Sequence, residues 1–271
     1  MSQIEDPAGF EMENPFTFDY YLRQLSFYGD IRPVSQDRIS ISLTNYRGPI
    51  NDYFNANWYQ LANVPKLQIG SRTWMSVTPM EVQSMYLALY LANYDVVTAG
   101  LGLGYFALAA AAKPEVNTVT IYETEKEVIA WFQEQFKNRP EIKKISIIES
   151  DFIEALRNNQ IDSEAFIFND IYAAVNTSTA LKHFEEFQPR YSQYNFWGME
   201  SLILDALNFG LTTHVPPFYT QLFRMWSATS TEATGDLSEK PPKYQVDKLY
   251  KLYTPKWTEE ECERFLEVWF V

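Results

Sequence analysis

Short apolar runs alternate with amphipathic stretches through the middle of the chain. Helical spacing marks the stretch 125–136, where Val128 and Phe132 fall on one side. Strands that alternate with helices in this way form a parallel sheet with right-handed crossovers. The pattern therefore predicts an α/β fold with a mostly parallel sheet and flanking helices, whose strands lie at Val96–Ala99, Thr118–Tyr122, Ile145–Ile148 and Ala165–Phe168.

A turn with three glycines separates the first of these strands from the helix predicted at 106–112. Gly100, Gly102 and Gly104 leave the turn without side chains, so the backbone and the positive end of the following helix can approach a ligand closely. Dinucleotide folds prefer a small residue three places after the second glycine, but Tyr105 occupies that place. The spacing is G-x-G-x-G, which favours S-adenosylmethionine over a nicotinamide cofactor.

Three further segments carry a resemblance to a known superfamily. Tyr122–Ile129 resembles the acidic segment that ends the second strand of class I S-adenosylmethionine-dependent methyltransferases, particularly their spermidine synthase-like branch. Ser150–Phe152 is similar to the aspartate segment after their third strand, and Ala165–Asp170 resembles their fourth strand. The resemblance covers 77–172. It implies a Rossmann-like class I methyltransferase fold, an S-adenosylmethionine cofactor and a transferase activity.

Individual positions take candidate roles from this resemblance and from their place at strand ends. Glu123 is well placed to accept hydrogen bonds from the ribose hydroxyls. The resemblance implies that Asp151 accepts a hydrogen bond from the adenine amino group. Phe152 is a candidate to lie against the adenine ring, with core packing as its more common role. An N-cap for the next helix is the alternative for Asp151. Asp170 is the candidate general base or amine-positioning carboxylate, with Tyr172 as an aromatic wall.

Two departures from the superfamily pattern leave the reaction open. Thr98 stands where many relatives have an acid two residues before the first glycine, and Ile171–Ala174 replaces the segment that follows the catalytic acid of aminopropyltransferases. Methyl transfer to a small-molecule or protein acceptor is the first expectation. Aminopropyl transfer to a polyamine is the second, and a non-catalytic cofactor-binding or interaction protein is the third.

The region before the glycine turn predicts a small, partly β cap. Residues 39–43 alternate as a strand does, and 67–69 with 72–74 flank a Gly-Ser turn typical of a hairpin. We expect an N-terminal arm and cap over 1–75 and the cofactor-binding domain with a C-terminal extension over 76–271. Large aromatics are candidates for a substrate pocket, although core packing is their more common role: Trp58, Trp74, Tyr86 and Trp197.

Capping patterns predict two further helices. Thr78 and Glu81 form a capping-box pattern with a proline at the first helical position, and this helix should run to about Ala92. Thr258 and Glu261 open the last helix by the same logic. Between them the sequence predicts helices at 176–187 and 198–208, an exposed loop at 229–243 and a late strand at 244–253.

Composition narrows the ligands and partners. A net charge of −13 argues against nucleic acid as a partner, because its phosphates need cationic neutralisation, and it suits a cationic substrate. One cysteine and two histidines without a ligand pattern predict no metal site. No apolar run approaches the roughly 20 residues that span a bilayer, and residues 1–15 lack a signal pattern. We expect a cytoplasmic protein without membrane contact, and a homodimer is left open.

Overall fold

The computed structural model describes most of the 271-residue chain, including all of the central region. The described residues are 15–36, 38–47, 50–51, 53, 57–58, 61–172, 177–211, 215, 219 and 257–269. The sequence-based predictions for the N-terminal arm before residue 15, the loop at 229–243 and the strand at 244–253 lie outside them.

The N-terminal part is one helix followed by antiparallel strands. The helix α1 (Phe18–Leu25) begins at Thr17, whose hydroxyl accepts a hydrogen bond from Tyr20 N. A four-stranded sheet has the order β1-β2-β5-β6, and β3 pairs with β4 in a separate two-stranded ladder. These strands are β1 (Val34–Gln36), β2 (Ile39–Thr44), β3 (Ile50–Asn51), β4 (Asn57–Trp58), β5 (Val64–Ile69) and β6 (Arg72–Ser76). The predicted hairpin is confirmed, because Ile69 pairs with Arg72 across the turn.

The central and C-terminal parts alternate helices and strands. In chain order the elements are α2 (Pro79–Ser84), α3 (Tyr86–Leu91), β7 (Tyr94–Ala99), α4 (Tyr105–Ala112), β8 (Val116–Glu123), α5 (Lys126–Phe136), β9 (Ile145–Glu149), α6 (Phe152–Arg157), β10 (Phe166–Asn169), α7 (Ser178–Phe187), β11 (Tyr194–Phe196), α8 (Met199–Asn208) and α9 (Glu259–Trp269). Short 3-10 helices add Ser26–Tyr28 and Pro140–Lys144.

Strands β7 to β11 form one parallel sheet with the order β11-β10-β7-β8-β9. The chain first steps outward from β7 to β8 and β9, then crosses back to place β10 on the other side of β7. The order therefore reverses between β7 and β10, which is the point where open α/β sheets bind ligands at the carboxyl ends of their strands. The predicted fold class is confirmed: a Rossmann-like parallel sheet with flanking helices and an antiparallel N-terminal sheet.

The glycine turn packs helix α4 closely onto the sheet. Gly104 begins α4 with a φ of +80°, and a Cβ added there would overlap the Phe132 ring of α5. A residue with a side chain would therefore be strained twice, by its backbone and by this overlap. Phe106 of α4 stacks on Phe168 of β10 with ring centroids 4.2 Å apart. The helix N-terminus is thus held at the carboxyl edge of the sheet.

Three local features differ from the sequence-based predictions. The helix expected from Thr78 to Ala92 is two helices, because the backbone leaves the regular helix at Met85. The Thr78 hydroxyl makes no capping hydrogen bond, whereas the pattern at the last helix is confirmed: Glu261 N donates to Thr258 Oγ1 over 3.2 Å and Thr258 N donates to Glu261 Oε2 over 2.9 Å. The short strand β11 was not predicted.

No helix among the described residues is both long and apolar enough to cross a membrane.

Candidate functional site

The Glu123 carboxylate ties the glycine turn to the end of the neighbouring strand. Leu101 N donates to Glu123 Oε2 over 2.8 Å, while Thr124 N and Glu125 N donate to Oε1 over 2.7 and 2.9 Å. A carboxylate offers about four acceptor directions. Three are used here, which leaves capacity for a further donor such as a ribose hydroxyl.

A cavity of about 320 Å³ opens beside this carboxylate. It lies at the carboxyl ends of β7, β8, β9 and β10, where the strand order reverses. Six of the eight predicted site residues line it: Gly100, Gly102, Glu123, Asp151, Phe152 and Asp170. The two others lie elsewhere, since Gly104 packs on Phe132 and Tyr172 lines a second cavity.

Asp151 caps a helix and lines the larger cavity. Its Oδ1 accepts a hydrogen bond from Glu154 N over 2.8 Å, which is the N-cap of α6 that the sequence left as the alternative. The side chain is exposed, so its second oxygen is accessible to a ligand. Phe152 is 3% exposed and meets Tyr122 edge-on, with centroids 5.8 Å apart. Phe152 therefore contributes mainly to the core and closes one side of the cavity.

A second, smaller cavity of about 40 Å³ adjoins the first. The two share four lining residues: Trp74, Gly100, Gly102 and Asp170. The smaller cavity alone is lined by Glu81 and by aromatic side chains of Tyr105, Phe106, Tyr172 and Trp197. Of the four aromatic pocket candidates, Trp74 and Trp197 line a cavity and Tyr86 lies in the core. The Trp58 side chain lies outside the described part of the structure.

Two carboxyl groups of the smaller cavity hold their protons unusually strongly. Burial raises the pKa of Asp170 well above its usual range, and Glu81 and Glu200 nearby raise it further. Burial also raises the pKa of Glu81 to about 7, although a backbone hydrogen bond with Ser76 opposes this in part. A cation that entered the cavity would favour the ionised forms. The sequence analysis treated Glu81 as part of a helix cap, because its spacing from Asp170 in the sequence does not indicate that the two side chains are close.

The Tyr172 hydroxyl belongs to a partly buried hydrogen-bond network. It lies 2.6 Å from Asn169 Nδ2 and 3.0 Å from His183 Nδ1, and Asn169 Nδ2 also contacts the Tyr194 hydroxyl over 2.7 Å. Burial lowers the pKa of His183 and raises that of Tyr172. The hydrogen bond between Asn169 and Tyr172 spans Asp170, so Tyr172 helps to hold Asp170 in place. The Tyr172 side chain also lines the smaller cavity.

The N-terminal sheet is seated directly on the glycine turn. Leu103 N donates to Met75 Sδ over 3.2 Å, and a Cβ added at Gly102 would lie 2.7 Å from the same sulfur. On the opposite side, a Cβ added at Gly100 would lie 2.6 Å from the Asp170 carbonyl oxygen. Strand β6 and the segment after β10 therefore enclose the turn between them.

The described residues contain no candidate metal-binding site. No group of three or more His, Cys, Asp or Glu side chains there is arranged to hold a metal ion.

Comparisons with known proteins add only distant structural likenesses. No protein-family model matches this chain. No curated protein matches it in sequence. The crystal structure of a precorrin-8w decarboxylase from Methanobacterium thermoautotrophicum aligns with a TM-score of 0.34 and 18% identity, over 44% of this chain and 61% of that one.

Two spermidine synthase structures align at a similar level. That of Thermotoga maritima gives a TM-score of 0.34 and 14% identity, over 58% of this chain and 53% of that one. A spermidine synthase in complex with the transition-state analogue AdoDATO gives 0.31 and 14%, over 51% and 46%. The matches span 46% to 61% of the lengths of these three structures. Structural similarity at these TM-scores does not indicate a function for this protein.

Proposed function

We propose that this protein is an S-adenosylmethionine-dependent methyltransferase that acts on an amine. The observation that carries the proposal is the larger cavity. Six residues singled out from the sequence for cofactor binding or catalysis line it together, at the reversal point of a parallel sheet. Such positions are the usual ligand sites of open α/β folds.

The lining residues fit the parts of an S-adenosyl ligand. Glu123 retains acceptor capacity for the ribose hydroxyls, and the second oxygen of Asp151 is free of the helix cap for the adenine amino group. Gly100 and Gly102 line both cavities, so the ligand would pass beside the glycine turn at the junction of the two. The ligand would supply an electrophilic methyl group on a sulfonium.

The smaller cavity suits an amine acceptor. The positive charge of the entering ammonium favours the ionised form of Asp170. The carboxylate then takes a proton from the ammonium, which leaves a neutral amine that can attack and a protonated carboxyl group. A new bond then forms between the amine nitrogen and the methyl carbon, the bond from carbon to sulfur breaks, and the sulfonium becomes a neutral thioether. A carboxyl with a raised pKa is a better base for this step near neutral pH than an ordinary aspartate. Tyr172 and Trp197 orient the acceptor from the wall.

A second function, aminopropyl transfer, is favoured by the charges around the smaller cavity. Among the described residues, its lining includes Glu81 and Asp170 but no lysine or arginine. Arg38 lines the larger cavity and pairs with Glu125 at 3.4 Å. A ligand that lacks the methionine carboxylate would therefore be repelled less by the two acidic side chains of the smaller cavity than S-adenosylmethionine would.

Product analysis tests the proposal and separates the two reactions. Purified protein is incubated with a panel of mono-, di- and polyamines, together with S-adenosylmethionine or its decarboxylated form. Methyl transfer yields S-adenosylhomocysteine, whereas aminopropyl transfer yields methylthioadenosine. Asp170→Asn serves as the control, since it should lose transfer and retain cofactor binding. Cofactor binding without either product across the panel would overturn both reactions and favour the non-catalytic alternative.

A further inference from the structure

Trp74 is an exposed aromatic residue at the junction of the two cavities. It lies on β6, and 44% of its surface is exposed although tryptophan is usually well buried. Besides Trp74, the residues shared by the two cavities are Gly100, Gly102 and Asp170. Trp74 is therefore the only aromatic side chain that both cavities have in common among the described residues.

The junction is where the charge of an S-adenosyl ligand would lie. Glu123 and Asp151 line the larger cavity alone, and Glu81 and Trp197 line the smaller one alone. In a bound ligand, the adenosine would contact Glu123 and Asp151, and the reacting carbon would point toward the smaller cavity. The sulfur atom would then lie between them, at the junction. The sulfur atom links these two parts covalently, so its position follows from theirs.

We propose that Trp74 binds the sulfonium cation of the ligand through the face of its indole ring. This inference rests on the proposed function and adds a residue that distinguishes the charged ligand from its neutral product. Indole is the best cation-binding ring among the natural side chains. Trp74 already attracts one cation, because the Arg72 guanidinium lies over the ring 5.4 Å from its centroid. Arg72 lines neither cavity, so its guanidinium does not belong to the ligand site itself.

The other polar side chain at the junction, Asp170, is a weaker partner for the sulfonium. In the proposed reaction Asp170 has already taken the proton of the acceptor when the methyl group is transferred. Burial and the nearby Glu81 and Glu200 raise its pKa well above the usual range, so it keeps this proton and is neutral at that step. An indole face stabilises a cation without a second charge that must be desolvated. The attraction ends when the methyl group has left, since the thioether is neutral. Trp74 would thus favour the substrate form of the ligand over the product form.

Paired titrations with a charged and a neutral ligand test this role. The dissociation constants of S-adenosylmethionine and S-adenosylhomocysteine are measured by calorimetry for the wild type, Trp74→Phe and Trp74→Leu. Trp74→Leu should weaken binding of the sulfonium by about fivefold more than binding of the thioether. Trp74→Phe keeps an aromatic face and should lose less of this preference. Because Trp74 is exposed, both variants are expected to fold, and thermal unfolding verifies it.

Each outcome of the titrations decides the inference. An equal loss for both ligands in Trp74→Leu would overturn it and leave Trp74 as a shape-forming wall, with the proposed function intact. A larger loss for the thioether would overturn it as well. If the folded wild type binds neither ligand, the proposed function fails and this inference fails with it.

Discussion

The backbone N–H of Leu101 donates a hydrogen bond to Glu123 Oε2 over 2.8 Å. This bond joins the glycine turn after β7 to the acid that ends β8, two elements that are separate in sequence and adjacent in the sheet. The same carboxylate accepts hydrogen bonds from the first two backbone amides after the strand, Thr124 N and Glu125 N. Glu123 therefore has a structural role that comes before any contact with a ligand.

Glu123→Gln should lower both stability and ligand affinity. The amide keeps one oxygen but cannot accept all three backbone hydrogen bonds, so the free energy of unfolding should fall by about 1–3 kcal/mol. Binding of an S-adenosyl ligand should weaken about tenfold, because one ribose contact is worth roughly 1.4 kcal/mol. Denaturant titration and calorimetry measure the two effects. Glu125→Gln removes only a partly exposed ion pair with Arg38 and should change stability by less than about 1 kcal/mol. Equal stabilities of the two variants would contradict the bracing role.

Gly104→Ala should destabilise the fold more than the matched change at Gly70. Both glycines have a positive φ, +80° and +60°, so alanine is strained at each by about 1–2 kcal/mol. At Gly104 the new Cβ would also overlap the Phe132 ring, whereas nothing lies within 4 Å at Gly70. We expect Gly104→Ala to cost at least about 2 kcal/mol more than Gly70→Ala. Denaturant titration compares them, and similar losses would show that α5 moves aside.

The sequence predicted the parallel sheet well because its signals are local. Buried strands appear as short apolar runs such as Val96–Ala99, and the helix between two strands has its own periodicity. Gly100, Gly102 and Glu123 were singled out for the same reason, since each follows or ends such a run. Topology then brings these ends to one edge of the sheet, so six of eight predicted site residues line one cavity.

Features that depend on contacts between distant elements were missed. Glu81 looked like a helix cap, and only the packing of α2 against the segment after β10 turns it into a neighbour of Asp170. The hydrogen bond from Leu103 N to Met75 Sδ joins two sheets and leaves no trace in either local pattern. Tyr172 was expected only as an aromatic wall, and the hydrogen bonds of its hydroxyl with Asn169 and His183 were not predicted.

The Glu81 carboxyl should make stability depend on pH in a defined window. Burial raises its pKa from 4.5 to about 7 in the folded chain. As the pH rises between these values, the unfolded chain ionises while the folded chain keeps the proton, so the free energy of unfolding falls. The stabilisation is complete below the lower value and lost above the upper one. Glu81→Gln should therefore stabilise the protein at about pH 8 by on the order of 2 kcal/mol, and little at about pH 4.5.

Denaturant titrations of the wild type and Glu81→Gln at the two pH values check this expectation. Glu164→Gln changes an exposed acid and should differ from the wild type by less than about 0.5 kcal/mol at either pH. A Glu81→Gln effect of the same size at both pH values would mean that the carboxyl does not keep its proton in the folded state.

Tyr172→Phe and Asp170→Asn should separate positioning from proton transfer. Tyr172→Phe removes a hydroxyl that contacts Asn169 and His183, so stability should fall by about 1–2 kcal/mol while transfer stays within about tenfold of the wild type. Asp170→Asn should lower the transfer rate at least about a hundredfold and leave cofactor affinity within about threefold. Initial rates, calorimetry and denaturant titration measure these quantities. Loss of transfer in Tyr172→Phe without a change in stability would assign the hydroxyl to the chemistry instead.

Calorimetric titration of the purified protein decides whether the cavity beside Glu123 binds an S-adenosyl ligand. The ligands are S-adenosylmethionine, its decarboxylated form and S-adenosylhomocysteine, each titrated into the wild type and into Gly102→Val. We predict binding of one ligand per chain for at least one sulfonium form. Affinity should be lost in folded Gly102→Val, because its Cβ would lie 2.7 Å from Met75 Sδ and the glycine turn that lines the cavity would have to shift. Absence of binding for all three ligands to the folded wild type would contradict the account.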